Sequence, residues 1–393
     1  MKLILNAKAL RPPLTGVGNY TYHLLEQFLQ GDHVDEVTCF TGRHWLPGAE
    51  QLDLTTRFRS GGESGSGSRF DGFLSGARDV VSALPGAQAV FSSLMEKRFE
   101  RTANAISGGL YHETNYVLMP YAGPCVTTVH DLSYIRFPQY HAAHLVEWLA
   151  RFLPESLARA DRVLTVSNIV REELLQHFNL PEEKVCTVYE GVDPSYRPRT
   201  EAQTTDVLSS LGLQHKRYVL LSATLEPRKG IDVLLDAWSQ LPQRLRLEYP
   251  LILTGSYGWR NELLVKKLAI HMKEGTVRHL GYVPSGVLAV LFSGATVFCY
   301  PSVYEGFGLP VLDAMRSGVP VICRAGTSMA EFSDGACLLC DTGEPEELAA
   351  HLESLLDSEH NCALWAGRGL HQAAQFSWKR CAQETAAVYQ QIS

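Results

Sequence analysis

Three features of this 393-residue chain predict an α/β fold of two doubly wound parallel-sheet domains. Short apolar, β-branched runs alternate with amphipathic stretches along its whole length, the pattern of repeated βα units. The alternation restarts at Tyr218, after a segment with no periodicity. The length also exceeds what one ordinary core organises, so two domains are the natural division.

The elements follow in order. Lys2–Leu5 is the first strand, and Gly16–Gly18 leads into a helix whose apolar positions include Tyr20, Leu24, Leu25 and Phe28. Glu36–Phe40 and Ala89–Phe91 read as further strands, while Val126–Val129 runs into His130-Asp131 and Val163–Val166 into Ser167. Arg57–Gly72, carrying GGESGSGS, reads as a low-complexity loop, either a tolerated insertion or a flap. The polar, proline-bearing stretch from Pro194 to about Thr205 marks the domain boundary. It separates residues 1–196 from 197–375, and a last helix, Trp378–Ile392 within 376–393, crosses back onto the first domain. In the second half, Tyr218–Ser222, Leu251–Leu253, Val277–Leu280, Val297–Tyr300 and Val319–Ile322 are strands. Gly230–Gln240, Glu346–Leu356 and Leu364–Gln375 are helices. Two such sheets facing each other leave a cleft at the carboxyl ends of their strands, the usual ligand position.

Composition narrows the class. With 45% apolar and 20% charged residues the chain reads as soluble and globular, and a net charge of −7 argues against nucleic acid and against anchoring by bulk positive charge. Nine cysteines without a repeated spacing suit a reducing compartment. Cys337 and Cys340 form a CxxC inside the apolar run ACLLC; with no second pair they read as structural rather than as zinc or redox ligands. The first residues, MKLILNAK, enter a strand directly and lack a signal-peptide pattern. Val283–Tyr304 is uncharged but is broken by Pro284, Gly286 and Pro301, so no membrane span is expected.

Four clusters fall at strand ends. After the first strand comes Thr15-Gly16-Val17-Gly18-Asn19, which alone is equally a plain tight turn. His130-Asp131 follows a buried strand, with Asp131 either orienting the imidazole or capping the next segment. Glu226-Pro227-Arg228-Lys229-Gly230 sets two cations at a strand–helix junction, an arrangement able to hold a diphosphate. Finally, Val297–Tyr300 opens into Ser302–Val321, a glycine-rich loop turning into a helix with Glu305 at its mouth and Asp313 inside. Gly306 and Gly308 allow close backbone approach, Pro310 suits the first helical turn, and the helix N-terminus attracts a phosphate. A carboxylate beside a phosphate would be repelled, so Glu305 makes more sense accepting from sugar hydroxyls.

Together and in this order, these residues resemble glycosyltransferase family 4, retaining enzymes of the GT-B fold with two Rossmann-like domains. The Glu305–Asp313 element carries the resemblance most strongly, joined by VSNIVREELL (166–175), EGVDPSYRP (190–198), ATLEPRKGIDVLLDAW (223–238) and GYVPSGVLAVLFSGA (281–295). The EPRKG, TGSYGWRNEL and HDLSYIRFPQY stretches look most like the bacterial branch containing O-antigen mannosyltransferases.

The resemblance implies roles. Gly16 and Gly18 would lie near the donor phosphates and acceptor, and His130 would hydrogen-bond the donor sugar beside the anomeric carbon. Arg228 and Lys229 would bind the pyrophosphate. Glu305, with the backbone N–H groups of Gly306, Phe307, Gly308 and Leu309, would position the transferred sugar. Val283 would lie near the base, and Asp313 would grip the ribose, although the family usually has the longer Glu there. The implied reaction moves a hexose from GDP-mannose or GDP-rhamnose to a lipid-linked oligosaccharide in lipopolysaccharide O-antigen assembly, on the cytoplasmic face of the inner membrane. No Asp-x-Asp occurs in the chain, so no metal or other cofactor is implied. Retention follows either from double displacement on a carboxylate or, as the family favours, from same-face attack. A UDP-sugar donor, a nucleotide-sugar epimerase and a non-enzymatic sugar-nucleotide sensor are the competing readings. The stretch His141–Asp161 (HAAHLVEWLARFLPESLARAD) is amphipathic, which fits core packing or a peripheral membrane contact.

Overall fold

Strands buried on both faces need continuous apolar runs, and here those runs build two separate parallel sheets. The computed structural model describes all residues except 13, 60–86, 259–261 and 393, and for 87–94 the backbone alone. The first sheet contains β1 (Lys2–Asn6), β2 (Glu36–Phe40), β3 (Trp45–Pro47), β4 (Gly109–Glu113), β5 (Cys125–Val129), β6 (Arg162–Thr165) and β7 (Val185–Thr187). Their order is β3-β2-β1-β4-β5-β6-β7, parallel except for the β2–β3 edge pair. The second sheet contains β8 (Val219–Ser222), β9 (Leu251–Thr254), β10 (Val277–His279), β11 (Val297–Tyr300), β12 (Val321–Arg324) and β13 (Leu338–Cys340). Its order is β10-β9-β8-β11-β12-β13, parallel throughout. Strand order therefore reverses between β1 and β4 in one lobe and between β8 and β11 in the other. Such reversals open a crevice at the carboxyl ends of the strands.

The chain passes between the lobes twice, and the two passages touch. Val192 pairs with Ser377 as an isolated parallel bridge, and a Cβ on Gly191 would stand 2.1 Å from the Trp378 nitrogen. Beyond this point the helix Trp378–Tyr389 lies on the helix Gly16–Gln30 of the first lobe. Trp378 stacks on His23 at 4.8 Å, and the Tyr389 hydroxyl meets His112 Nδ1 at 2.6 Å.

Several sequence-based expectations change. Ala89–Phe91 is helical, part of Ala87–Ala103, because a three-residue apolar run does not separate strand from helix and the following SSLMEKRFERTA favours helix. β4 and β7 fill positions that sequence patterning left empty; GLYHE and VCT are too short and mixed to announce themselves. The boundary stretch is not unpatterned to its end: Glu201–Ser210 is a helix, begun by a capping box between Thr200 and Gln203. Arg57–Arg59 close the helix Gly48–Arg59, while GGESGSGS lies outside the described residues, as do Trp259–Asn261 of TGSYGWRNEL. In the helix Ala143–Arg159, Leu149, Leu153 and Leu157 are buried while Leu145 and Trp148 face outward. Among the described residues no helix is long and apolar enough to cross a membrane.

Candidate active site

The β8–β11 reversal places two loops side by side. After β8, Pro227–Lys229 forms one 3₁₀ turn that ends on Gly230 at φ +65°. A Cβ there would sit 2.4 Å from the Pro301 carbonyl oxygen, so only glycine fits. This turn aims Lys229 at the β11 loop, where its Nζ lies 2.6 Å from Glu305 Oε1 and donates to the Tyr300 hydroxyl at 3.2 Å. Arg228 donates to the Tyr304 carbonyl at 2.8 Å and to Glu226 Oε1 at 2.7 Å, and stands 3.6 Å from Glu305 Oε2. Ser302 Oγ completes the set, donating to Glu305 Oε1 at 2.6 Å. Burial alone would raise the Glu305 carboxyl, but Lys229 and Arg228 outweigh it and hold the group below its usual range. Arg228 loses by burial and gains more from Glu305 and Glu226, so its guanidinium is held charged. The two cations thus already face two carboxylates, and an incoming diphosphate has to share or displace these contacts.

The loop itself is seated on the other lobe. A Cβ on Gly306 would fall 2.0 Å from the His130 carbonyl oxygen, which explains glycine at that position. Ser167 Oγ donates to the Gly306 carbonyl at 2.7 Å, and Ser328 Oγ donates to those of Glu305 and Phe307 at 2.9 and 2.8 Å. Phe307 is buried against Phe332, Gly308 takes φ +107°, and Leu309 starts the helix Leu309–Arg316 with Pro310 in its first turn. The Tyr304 hydroxyl accepts from the Leu132 amide at 2.8 Å and donates to Glu173 Oε2 at 2.6 Å, and Glu173 also pairs with Arg136.

From the first lobe, β5 delivers His130. Its Nε2 lies 2.8 Å from the Thr114 carbonyl oxygen, which only accepts, so this nitrogen carries a hydrogen. Its Nδ1 faces Glu190 Oε1 at 3.7 Å, and the Tyr20 ring stands edge-on at 4.9 Å. Asp131 caps rather than orients: it accepts from the Ser133 amide and hydroxyl at 2.9 and 2.7 Å. At the β1–β4 reversal, buried Glu113 accepts from Asn6 at 2.5 Å, Tyr111 at 2.6 Å and the Asn115 amide at 3.1 Å. Burial pushes this carboxyl up to about 7.

Arg228, Lys229, Glu305, Gly306 and His130 therefore form one contact network spanning both lobes. Among the described residues no hydrogen bond or ion pair ties the remaining predicted positions Gly16, Gly18, Val283 and Asp313 into it. Gly16 opens its helix at the surface with nothing near its Cβ direction, whereas a Cβ on Gly18 would stand 2.8 Å from the Ala9 carbonyl oxygen. Val283 is half-buried in the loop before the helix Ser285–Gly294. Asp313 lies inside its helix, its carboxyl raised well above the usual range by burial and then by Asp193 and Glu190. Sequence reasoning missed Glu190, Thr114 and Tyr304. Glu190 had a signal, since it heads EGVDPSYRP, but a carboxylate in a loop has no assigned partner until the fold supplies His130.

Two family models match the chain: Glycosyltransferase Family 4 over residues 110–196 and Glycosyl transferases group 1 over residues 207–370. The chain is 34% identical over 389 residues to the O-antigen chain mannosyltransferase B of Escherichia coli, covering 99% of each. It is 30% identical over 256 residues to the MMP alpha-(1->4)-mannosyltransferase of Mycolicibacterium hassiacum, covering 64% of this chain and 57% of that one. In fold it is similar to WaaG, a glycosyltransferase involved in lipopolysaccharide biosynthesis, with TM-score 0.69 at 13% identity and 99% of each chain covered. Anabaena HepE in complex with UDP-glucose gives TM-score 0.69 at 18% identity over 100% of both chains.

Proposed function

This chain belongs to glycosyltransferase family 4, and from that membership we propose that it moves a mannosyl unit from GDP-mannose to a lipid-linked oligosaccharide during O-antigen assembly, with retained configuration. The full-length likeness to an O-antigen mannosyltransferase is the observation that carries the choice of sugar and pathway. The barrier lies in separating a nucleoside diphosphate from an oxocarbenium-like sugar. Lys229, Arg228 and the N-terminus of the helix Leu309–Arg316 stabilise the departing charge, an electrostatic contribution already in place before the reaction.

In this reading, binding of the diphosphate draws Lys229 partly away from Glu305, whose freed oxygens then accept from sugar hydroxyls. His130 meets the sugar from the opposite lobe, and Asp313, which has acceptor oxygens and no ion pair among the described residues, takes the ribose. The departing phosphate removes the acceptor hydroxyl's proton on the same face, which retains configuration without a covalent sugar on the enzyme. The outward Leu145 and Trp148 are the surface this reading brings to the membrane that holds the acceptor. Incubation with GDP-mannose, GDP-rhamnose and UDP-hexoses, with and without a synthetic lipid-linked acceptor, tests it by mass spectrometry. Transfer from GDP-mannose alone is expected; preference for another donor, or conversion of donor without acceptor, overturns it.

A further inference from the structure

Glu190 is more than nine-tenths buried, yet among the described residues no hydrogen bond reaches its carboxylate. Its ion-pair partner is His130, with Oε1 3.7 Å from Nδ1, inside ion-pair range but beyond hydrogen-bond length, and Asp313 also feels its charge. The other ring nitrogen is fixed on the Thr114 carbonyl, so Nδ1 is the atom His130 has left to offer. Glu190 also directly precedes Gly191, at the point where both passages between the lobes touch. A nearly buried carboxylate whose ion-pair partner is one imidazole nitrogen is placed to act on that ring.

We propose that Glu190 is a positioning residue for His130: with Thr114 it fixes the imidazole plane and so aims Nδ1 at the sugar. The inference rests on the reading that His130 contacts the sugar. The groups facing His130 are Tyr20 from the helix Gly16–Gln30, His112 from β4, Tyr116 and Asp131 from the adjoining loops, and Glu190 itself. Of these, Glu190 lies against Nδ1. Glu190→Gln removes this ion-pair partner while keeping the shape.

The test compares wild type, Glu190→Gln, Glu190→Asp, His130→Ala and the Glu190→Gln/His130→Ala double variant by steady-state kinetics. Glu190→Gln is expected to lower kcat roughly tenfold or more with little change in donor KM. Glu190→Asp, which keeps the carboxylate, should restore much of the lost kcat. In the His130→Ala background the Gln substitution should add no further loss. Additive losses, or no rescue by Glu190→Asp, overturn the proposal. Should Glu190→Gln not fold, ¹⁵N-histidine spectra of the wild type decide, with the resonances assigned through His130→Ala. Hydrogen on Nε2 is expected, and a neutral ring protonated at Nδ1 overturns it. Full activity in His130→Ala alone would instead sink the sugar-contact reading, whatever Glu190 does.

Discussion

Glu305 and Asp313 belong to one loop-helix element and are both partly buried carboxylates, yet they sit in opposite electrostatic surroundings. Lys229, Arg228 and Ser302 surround Glu305 and hold it charged. Asp313 has Asp193 and Glu190 as its charged neighbours, and its carboxyl is pushed up. The difference separates an acid already engaged by the protein from one whose carboxyl no hydrogen bond reaches among the described residues. A ligand that reaches Glu305 has to exchange contacts, and one that reaches Asp313 supplies them.

The largest test of this contrast is removal of the engaged acid or its partner. Glu305→Ala and Lys229→Ala are each expected to cut transfer roughly a hundredfold or more. Glu305→Ala also leaves the buried Lys229 without its ion-pair partner, which costs about 3–5 kcal/mol in a urea melt. After Lys229→Ala the Glu305 carboxylate keeps Arg228 and Ser302, and the loss is smaller. Near-normal transfer or unchanged stability in either variant breaks the comparison at that end. Asp313→Asn should act in the opposite sense on the empty protein. A carboxyl whose folded pKa is raised contributes stability below its unfolded value and loses it as pH rises through the folded one. The Asn variant is therefore more stable than wild type at neutral pH and no better in acid, while nucleotide affinity by calorimetry falls about tenfold. Equal stability at both pH values, or unchanged affinity, removes Asp313 from the ribose role.

His112 sharpens the comparison from the cationic side. Burial and then His130 push its imidazole down to about 3, and it links Tyr389 to Thr128 at 2.6 and 2.8 Å. The unfolded chain binds this proton more readily, so stability is present above about pH 6.5 and is lost as pH falls towards 3, by up to about 1.4 kcal/mol per unit. His112→Gln should flatten that slope, and an unchanged acid slope would discount it. The smallest effect is none: with phosphate charge assigned to Arg228 and Lys229, EDTA leaves the rate unchanged, and a chelator-sensitive rate overturns that assignment.

Periodic elements were legible in the sequence, whereas elements defined by their neighbours were not. Val297–Tyr300 and Leu251–Leu253 announce buried strands through apolar runs, but His112 and Glu113 make GLYHE look polar although β4 is central and wholly buried. The polar residues are tolerated there because Tyr389, Thr128, Asn6 and Tyr111 satisfy them, partners up to 277 positions away. The same limit holds for the site. Arg228, Lys229 and Glu305 stand out by residue type beside glycines, while the mutual engagement of Lys229 with Glu305, and of Glu190 with His130, depends on how two lobes meet. Residue type likewise gives no sign that the missing side chain of Gly18 makes room for the Ala9 carbonyl.

The contact between Gly191 and Trp378 carries a consequence for any rearrangement of the lobes. With no room for even one methyl between those passages, sliding one past the other would have to break this backbone contact. The Gly306 loop on His130 and Ser167 is a second close approach between the lobes, so separating them there while keeping the first contact would require a turn about it.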